Sequence, residues 1–352
     1  MATFLQRTRG ASFWVVACAL VAVGLFAQPA AAADKPVRHF PFSYLGNADR
    51  HAKAPGAIGS RVLGGAVATP KTWPWQVALI QSGKKSVYDG QFCGGSMITT
   101  QWVLTAAHCV YDETDDGDSF LLKPADIKVL AGTNLLEDGT GDLVEVVEVH
   151  PHPGYDAVAI DNDLALLKLA RIPRIDPLTP VKLPTKGAED QLAAAGTQAT
   201  VIGWGRLENG DFPKDLRQVR IRILDRRECN QAIVEAREDK ASDLFQRVID
   251  TLDLNDDVSD KVWKMMTGAI KPPLTDNMIC SGSYAGGKGS CNGDSGGPLM
   301  VALADGSFLQ VGIVSWGFTG TEKDSCDVEA EFSAFTRVAN YSDWLTATIE
   351  GK

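Results

Sequence analysis

The spacing of apolar residues after Val62 constrains the fold more than any other feature of the sequence. Short apolar runs alternate with clusters of Gly, Asp, Asn and Pro over most of this region. Runs of this length between turn-forming residues are typical of β-strands, and many of them at regular spacing indicate a sandwich or a barrel. The runs are 76–80, 97–104, 127–131, 143–149, 164–169, 198–203, 299–303 and 311–316. The sequence therefore predicts an all-β fold.

Three segments depart from this pattern of short apolar runs. Residues 239–267 have an amphipathic, helical pattern and predict a helical insert. Residues 338–349 carry apolar side chains at helical spacing and predict a C-terminal helix. Residues 173–184 contain four prolines, and such a segment suits a crossing between two β units.

Within the insert, Asp253, Asn255 and Asp257 alternate like the start of a calcium loop. The turn glycine of such a loop is missing, and its twelfth position is Lys264 instead of Glu. We interpret the stretch as a solvated acidic turn, and we predict no metal site.

The first 33 residues have the organisation of a secretory signal peptide. A basic region with Arg7 and Arg9 precedes an almost unbroken apolar run at 11–27, and three small residues end at Ala33. This order of segments predicts cleavage after Ala33 and a secreted protein, either extracellular or periplasmic.

Two alternatives to simple secretion remain open at this end. The apolar run is short for a membrane anchor, which usually needs about 20 apolar residues. Lipoprotein processing at Cys18 ranks below secretion because the apolar run continues past that cysteine. Residues 34–61 are rich in Pro, Gly, Ala and basic residues, and they predict a removable pro-segment.

The charge of residues 62–352 limits the partners that we expect. This part of the chain has 27 Lys and Arg against 42 Asp and Glu, a formal net charge of −15. An acidic surface repels phosphate backbones, so nucleic acid is not an expected partner.

Six cysteines remain beyond the signal peptide. An even number after an export signal predicts three disulfides, although spacing alone leaves the pairing open. Zinc is the competing use, and no two of these cysteines form the Cys-x-x-Cys pair that a zinc site favours. They are Cys93, Cys109, Cys229, Cys280, Cys291 and Cys326.

Residues 293–298, with the sequence GDSGGP, carry the strongest chemical signal. A serine hydroxyl is a weak nucleophile that needs a base and fixed donors for the oxyanion that forms. The glycines around Ser295 let the backbone turn sharply and approach a substrate. Gly293 and Ser295 are therefore candidates to point their N–H groups into an oxyanion hole.

The candidate base is His108, one of three histidines beyond residue 61. It lies among small residues, and the adjacent Cys109 can fix its backbone. His150 and His152 alternate with prolines, and we interpret them as residues at a strand end. Asp163 stands at the mouth of an apolar strand, where a buried carboxylate can orient the imidazole and stabilise its charged form.

The chain resembles the trypsin/chymotrypsin family of serine proteases. The resemblance covers essentially all of residues 62–348, with His108, Asp163 and Ser295 in the family's order. Its motifs are 61–65 (RVLGG), 73–77 (WPWQV), 93–96 (CGGS), 105–109 (TAAHC), 161–166 (DNDLAL), 203–205 (GWG), 293–298 (GDSGGP), 315–317 (SWG) and 336–338 (TRV).

This resemblance implies two antiparallel six-stranded β-barrels with the active site in the cleft between them. We expect a peptidase domain at 62–352, with the first barrel at about 62–180, the second at about 185–337 and the C-terminal helix at 338–349. The resemblance also selects one disulfide pairing: Cys93–Cys109, Cys229–Cys280 and Cys291–Cys326.

Activation follows from the same resemblance. Family members are made as zymogens and cut before the segment that begins here at Val62. Cleavage after Arg61 frees the amine of Val62, which we expect to insert and pair with the carboxylate of Asp294. The partners implied are protein or peptide substrates, an activating protease and protein inhibitors, and no cofactor is needed.

Specificity departs from the trypsin pattern. Gly289 occupies the position where trypsin-like members place Asp at the pocket floor, while Gly317 leaves the entrance open and Ser333 takes the third pocket position. Such an uncharged pocket favours a large uncharged residue before the scissile bond. A preference for Lys or Arg is the alternative, since the following loop brings several acids near the pocket; these are Glu322, Asp324, Asp327, Glu329 and Glu331.

Ser315, Trp316 and Gly317 supply the strand edge that the resemblance assigns to the substrate backbone. The second departure is the distance of 50 residues between Cys229 and Cys280, which exceeds the family's usual spacing and contains the helical insert. The insert borders the cleft, where it either restricts large substrates, binds a partner or has no role.

Two other functions fit the sequence less well. A binding protein that has lost catalysis usually lacks a member of the triad, and this chain keeps all three together with Gly293 and Asp294. An esterase with a Gly-x-Ser-x-Gly elbow has the order Ser, Asp, His, which differs from the order here.

Overall fold

The computed structural model describes residues 65–352, apart from 115, 188, 208, 283–288 and 320–329. The predicted signal peptide and pro-segment, together with Arg61 and Val62, therefore lie outside the described residues. The chain contains fifteen described strands, of which twelve form two barrels.

The first barrel is a closed ring of six antiparallel strands. Its strands are β2 (Gln76–Gln81), β3 (Gln91–Met97), β4 (Trp102–Thr105), β7 (Ile127–Ala131), β8 (Asp142–Pro151) and β9 (Ala165–Leu169). Their order around the ring is β2-β3-β4-β9-β8-β7. A separate hairpin, β5 (Tyr111–Glu113) with β6 (Ser119–Leu121), follows the histidine segment.

The second barrel also has six antiparallel strands. They are β10 (Gln198–Gly203), β11 (Arg217–Leu224), β12 (Met278–Gly282), β13 (Pro298–Ala302), β14 (Phe308–Thr319) and β15 (Ala330–Arg337). The order is β11-β10-β13-β14-β15-β12, and a pairing of β11 with β12 closes the ring. A short strand, β1 (Ala66–Val67), pairs antiparallel with the start of β11. The predicted pair of barrels is confirmed.

Strand β11 shows why these sequences form barrel walls. Val219, Ile221 and Ile223 are buried, while Arg220 and Arg222 between them point outward. Because side chains alternate across a strand, this order places one face in the core and the other in water.

One predicted strand run was wrong in its extent. Residues 97–104 are not one strand, because the chain turns between β3 and β4. The hydroxyl of Thr99 accepts hydrogen bonds from the N–H groups of Gln101 and Trp102, and this local bonding closes the turn.

The helical insert begins earlier than the sequence pattern predicts. It consists of α3 (Arg226–Leu252) and α4 (Asp256–Thr267). The side chain of Asp225 caps α3 by accepting from the N–H of Arg227, and Cys229 and Ile233 on its first turns are buried against the barrel. Tertiary contacts thus extend the helix into a region with little amphipathic pattern of its own.

The acidic stretch inside the insert joins its two helices. Asp253 has a left-handed conformation and ends α3, and the side chain of Asn255 caps α4 by accepting from the N–H of Val258. Asp253 and Asn255 are therefore helix-cap residues, and Asp257 lies in the first turn of α4.

The remaining helices are short. They are α1 (Val87–Gly90), α2 (Glu189–Leu192) and α5 (Ser342–Glu350), the last preceded by a 3-10 turn at Val338–Tyr341. The predicted C-terminal helix is therefore present. Within the described ranges, no helix is long and apolar enough to cross a membrane.

Candidate active site

His108 lies on a 3-10 turn, Ala107–Val110, directly after β4. A disulfide between Cys93 and Cys109 ties this turn to β3. Small, fully buried alanines precede the histidine, so its ring fits against the barrel while only 6% of the residue is exposed. The position of the imidazole is thus set by covalent and packing constraints together.

Asp163 lies just before β9 and is completely buried. Its Oδ1 accepts the main-chain N–H of His108 at 2.8 Å, and its Oδ2 lies 2.7 Å from the ring Nδ1. Ser315 on β14 donates its hydroxyl to the same Oδ2 at 2.5 Å. The hydroxyl of Thr336 on β15 donates to the main-chain oxygen of Asp163 at 2.7 Å. Both barrels therefore hold this carboxylate.

These contacts decide the ionisation of Asp163. Burial opposes the charged form, but electrostatic attraction to the His108 imidazole and the hydrogen bonds from His108 and Ser315 together hold the pKa of Asp163 below its ordinary value. An ionised carboxylate at Nδ1 favours the tautomer that carries its proton there and leaves Nε2 able to accept one.

Ser295 lies at a tight turn before β13, and its main-chain oxygen accepts the N–H of Gly94 on β3 at 2.7 Å. The N–H groups of Asp294, Gly296 and Gly297 each donate to a main-chain oxygen. In the described part of the chain, the N–H groups of Gly293 and Ser295 have no such acceptor. These two donors are therefore available to an oxygen atom of a ligand.

Gly293 adopts a φ of +100°, a conformation that side chains other than glycine rarely take. Its carbonyl accepts from the side-chain amide of Gln91 at 2.9 Å. Gln91 lies on β3, far from the serine motif in the sequence, and no sequence motif predicted its contact with Gly293. Among the described residues, no hydrogen bond joins Ser295 Oγ to His108 Nε2, and such bonds often form only in the complex with substrate.

Asp294 is buried, with 1% of its surface exposed. Its carboxylate accepts from the N–H of Gly205 at 2.7 Å and from the N–H of Cys291 at 2.9 Å. A Cβ at Gly205 would lie 2.3 Å from Oδ2, so the carboxylate fits only because glycine stands there. Burial raises its pKa to about 6, although the two hydrogen bonds oppose this shift.

Gly289 and Ser333, two of the predicted pocket residues, lie side by side. A Cβ at Gly289 would lie 3.2 Å from Ser333 Oγ. Ser290 donates its hydroxyl to the same oxygen at 3.2 Å. Ser290 was not among the predicted pocket residues, although its position next to Gly289 was a signal. Gly317 is exposed. A Cβ added at Gly317 would have the main-chain oxygen of Phe332, at 3.7 Å, as its nearest described neighbour.

Ser315, Trp316 and Gly317 belong to β14, which pairs with β15 along this stretch. The pairing of β14 with β13 ends at Ile313. At residues 315–317, the edge of β14 opposite β15 is therefore not paired with β13. Trp316 packs against the buried cluster at the base of the insert, which includes Ile233.

Two of the three predicted disulfides are present, Cys93–Cys109 and Cys229–Cys280. The third includes Cys326, which lies outside the described residues, as do Glu322, Asp324, Asp327 and Glu329. Cys93, His108 and Cys109 lie close enough together to share a metal ion. Both sulfurs are consumed by the disulfide, so they offer no thiolate ligand.

Comparison with known proteins agrees with this geometry. The model of the family described as "Trypsin" matches residues 62–345. The chain belongs to the trypsin family of serine endopeptidases. Among curated relatives, mannan-binding lectin serine protease 1 of Mus musculus is 30% identical over 296 residues, 81% of this chain and 35% of that protein. The same protease of Homo sapiens is 29% identical with the same coverage. The chain thus spans about a third of the length of these relatives.

Proposed function

We propose that this trypsin-family chain hydrolyses peptide bonds with His108, Asp163 and Ser295 as its catalytic triad. The contact that carries the proposal is between Asp163 and His108, where one buried carboxylate accepts both the main-chain N–H and the ring Nδ1–H. That arrangement orients Nε2 as a base and stabilises the imidazolium that forms during catalysis.

In the reaction, Ser295 Oγ attacks the carbonyl carbon of the scissile bond while His108 Nε2 takes its proton. The N–H groups of Gly293 and Ser295 bind the oxyanion of the tetrahedral intermediate. His108 then gives the proton to the leaving amine, and an acyl-enzyme remains on Ser295. Water, activated by the same imidazole, hydrolyses this ester and regenerates the hydroxyl.

The protein is secreted as a zymogen and activated by cleavage after Arg61. Support comes from Asp294, whose buried carboxylate is held by two main-chain N–H groups and has a raised pKa. The ammonium group of Val62 would pair with this carboxylate and stabilise its charged form. Since Asp294 stands between Gly293 and Ser295, its placement also shapes the oxyanion hole.

The preferred residue before the scissile bond is large and uncharged. Gly289, Ser290 and Ser333 give the described part of the pocket floor an uncharged, hydroxyl-lined surface. A long cationic side chain would find no carboxylate among these three residues. The substrates are proteins or peptides, and an uncharged preference means that a different protease cuts after Arg61.

The test uses the purified proenzyme, cleaved after Arg61 and assayed on peptides that vary at the residue before the scissile bond. Ser295→Ala, cleaved in the same way, is the matched control. Cleavage after Phe, Tyr or Leu that is absent from the control supports the proposal. Cleavage after Lys or Arg would contradict the specificity, and no cleavage of any peptide would contradict the enzymatic function.

A further inference from the structure

Two residues just before strand β12 bind the loop that carries Asp163. The hydroxyl of Thr275 donates to Asp161 Oδ1 at 3.0 Å. The side-chain amide of Asn277 donates to both oxygens of Asp161, at 3.2 and 3.3 Å, and to Asn162 Oδ1 at 3.4 Å. The second barrel thus holds the two residues that precede Asp163 in the first barrel.

The conformation of Asn162 decides where Asp163 points. Asn162 has a φ of +53°, and its main-chain oxygen accepts the N–H of Leu164 at 2.9 Å, which closes a tight turn around Asp163. The Asn162 side chain is fixed from two further directions, since Tyr341 donates its hydroxyl to Oδ1 at 3.1 Å and Nδ2 donates to the oxygen of Gly154 at 2.8 Å. A shift of this side chain would therefore rotate the turn.

The segment that carries Thr275 and Asn277 is itself held by the base of the helical insert. Asn230 on α3 donates to the main-chain oxygen of Leu274 at 2.9 Å and accepts the N–H of the same residue at 2.8 Å. The guanidinium of Arg226 forms an ion pair with Asp276 and donates to the oxygen of Leu274. Leu274 is buried in the cluster that contains Ile233 of α3.

We propose that Asn277, supported by Asn230 at the base of the insert, is a positioning residue for Asp163. It acts by holding Asp161 and Asn162, so that the carboxylate of Asp163 meets the Nδ1 side of His108. This role rests on the proposed triad, and it couples the helical insert to the catalytic chemistry.

The size of the effect follows from the geometry that catalysis demands. Hydrogen bonds to an ionised group such as Asp161 are stronger than neutral ones. Their loss frees the turn before Asp163, and a misplacement of about 1 Å in a catalytic group costs up to about 100-fold in rate. Substrate binding, which uses the pocket and the edge of β14, should change little.

The experiment compares processed Asn277→Ala and Asn230→Ala with the wild-type enzyme on a peptide substrate. Both variants should lower kcat, Asn277→Ala by about tenfold or more, while KM changes little. Asn255→Ala is the matched control. It removes an asparagine of the insert that caps α4, and none of its hydrogen bonds in the described structure goes to residues 274–277. Its kcat should equal that of the wild type.

A second measurement separates positioning from a general loss of structure. Asn277→Ala is added to Asp163→Ala, and the residual hydrolysis is measured well below the unfolding temperature of each variant. If Asn277 acts through Asp163, the added change lowers kcat no further. An equal loss in both backgrounds, or an unchanged kcat in the single variants, would overturn the inference.

The same set of variants distinguishes this inference from the triad itself. A wild-type kcat in Asp163→Ala would mean that the proposed triad is wrong. A large loss in Asp163→Ala together with wild-type activity in both Asn277→Ala and Asn230→Ala would mean that the triad stands and the positioning role fails. Asn230→Ala keeps the test decisive if Asn277→Ala does not fold.

Discussion

At the scale of single residues, Asp163 and Asp294 show how partners decide the ionisation of a buried carboxylate. Both are almost completely buried. The pKa of Asp163 is lowered because His108 and Ser315 more than compensate for burial, whereas burial raises the pKa of Asp294 to about 6 and the hydrogen bonds from two main-chain N–H groups offset this only in part. Asp163 is thus charged at neutral pH. The ionised form of Asp294 is disfavoured by burial, and a cationic partner would stabilise it.

Asp294→Asn should change how the stability of the uncleaved chain depends on pH. Since folding raises the pKa of Asp294 to about 6, its protonated form stabilises the folded state at low pH. This contribution, on the order of 3 kcal/mol, is lost as the pH rises from about 4 through about 6. Urea unfolding should show that the free energy of unfolding of the wild type falls more steeply over this range than that of the variant.

Both proteins in that comparison should carry Ser295→Ala, which prevents self-digestion. A pH dependence that is identical with and without Asp294 would contradict the prediction. After cleavage behind Arg61, an ammonium partner would lower the pKa of Asp294. The loss of stability between about pH 4 and 6 should therefore be smaller in the cleaved protein than in the uncleaved chain.

At the scale of elements, the helical insert is a hairpin with a very small core. Phe245 on α3 and Trp263 on α4 stack with their ring centroids 5.5 Å apart, and Phe245 is 8% exposed. Apolar residues nearby remain exposed, among them Leu244 at 56% and Leu252 at 63%. The outer part of the hairpin therefore depends on one aromatic contact, while its base is anchored by Cys229–Cys280.

Phe245→Ala should unfold the outer hairpin without unfolding the barrels. Loss of a buried aromatic side chain costs about 3 kcal/mol, which exceeds what the short α4 can recover from its own hydrogen bonds. Hydrogen exchange should show lost protection in α4 and unchanged protection in β10 and β13. Leu244→Ala, an exposed neighbour on the same helix, is the control and should leave α4 protected.

At the scale of the whole molecule, one buried apolar cluster spans the two barrels, and the second barrel has a further cluster of its own. The largest buried cluster joins first-barrel residues such as Leu79 and Leu104 to Ile313 of β14 and Leu345 of α5. Polar groups connect the barrels as well, since Ser96 donates to Gln310 at 2.5 Å with both residues fully buried. Such shared burial favours unfolding of the two barrels as one unit.

Leu345→Ala in the C-terminal helix should therefore destabilise both barrels together. Deleting this side chain, which is 4% exposed, should cost about 2–5 kcal/mol. Calorimetry should show one transition that moves to lower temperature. Thr346→Ala, on the exposed side of the same helix, should leave the transition in place, and two separate transitions in Leu345→Ala would contradict a shared core.

Local patterns in the sequence were enough to predict much of this protein. The runs 127–131 and 198–203 coincide with β7 and β10, because strand formation at these places follows from apolar residues between turn residues. The serine motif and the order of His108, Asp163 and Ser295 predicted the candidate site, because each motif is a continuous string whose chemistry depends on neighbours in the chain.

Tertiary structure alone decided the features that depend on residues distant in sequence. The start of α3 at Arg226 follows from packing of Cys229 and Ile233 on the barrel, a contact that no periodicity reveals. The roles of Gln91 and Asn277 likewise arise because the packing of one barrel against the other brings them beside Gly293 and Asp161. A polar side chain has no periodic signal that names its partner, so only the closed barrels show which hydrogen bonds it makes.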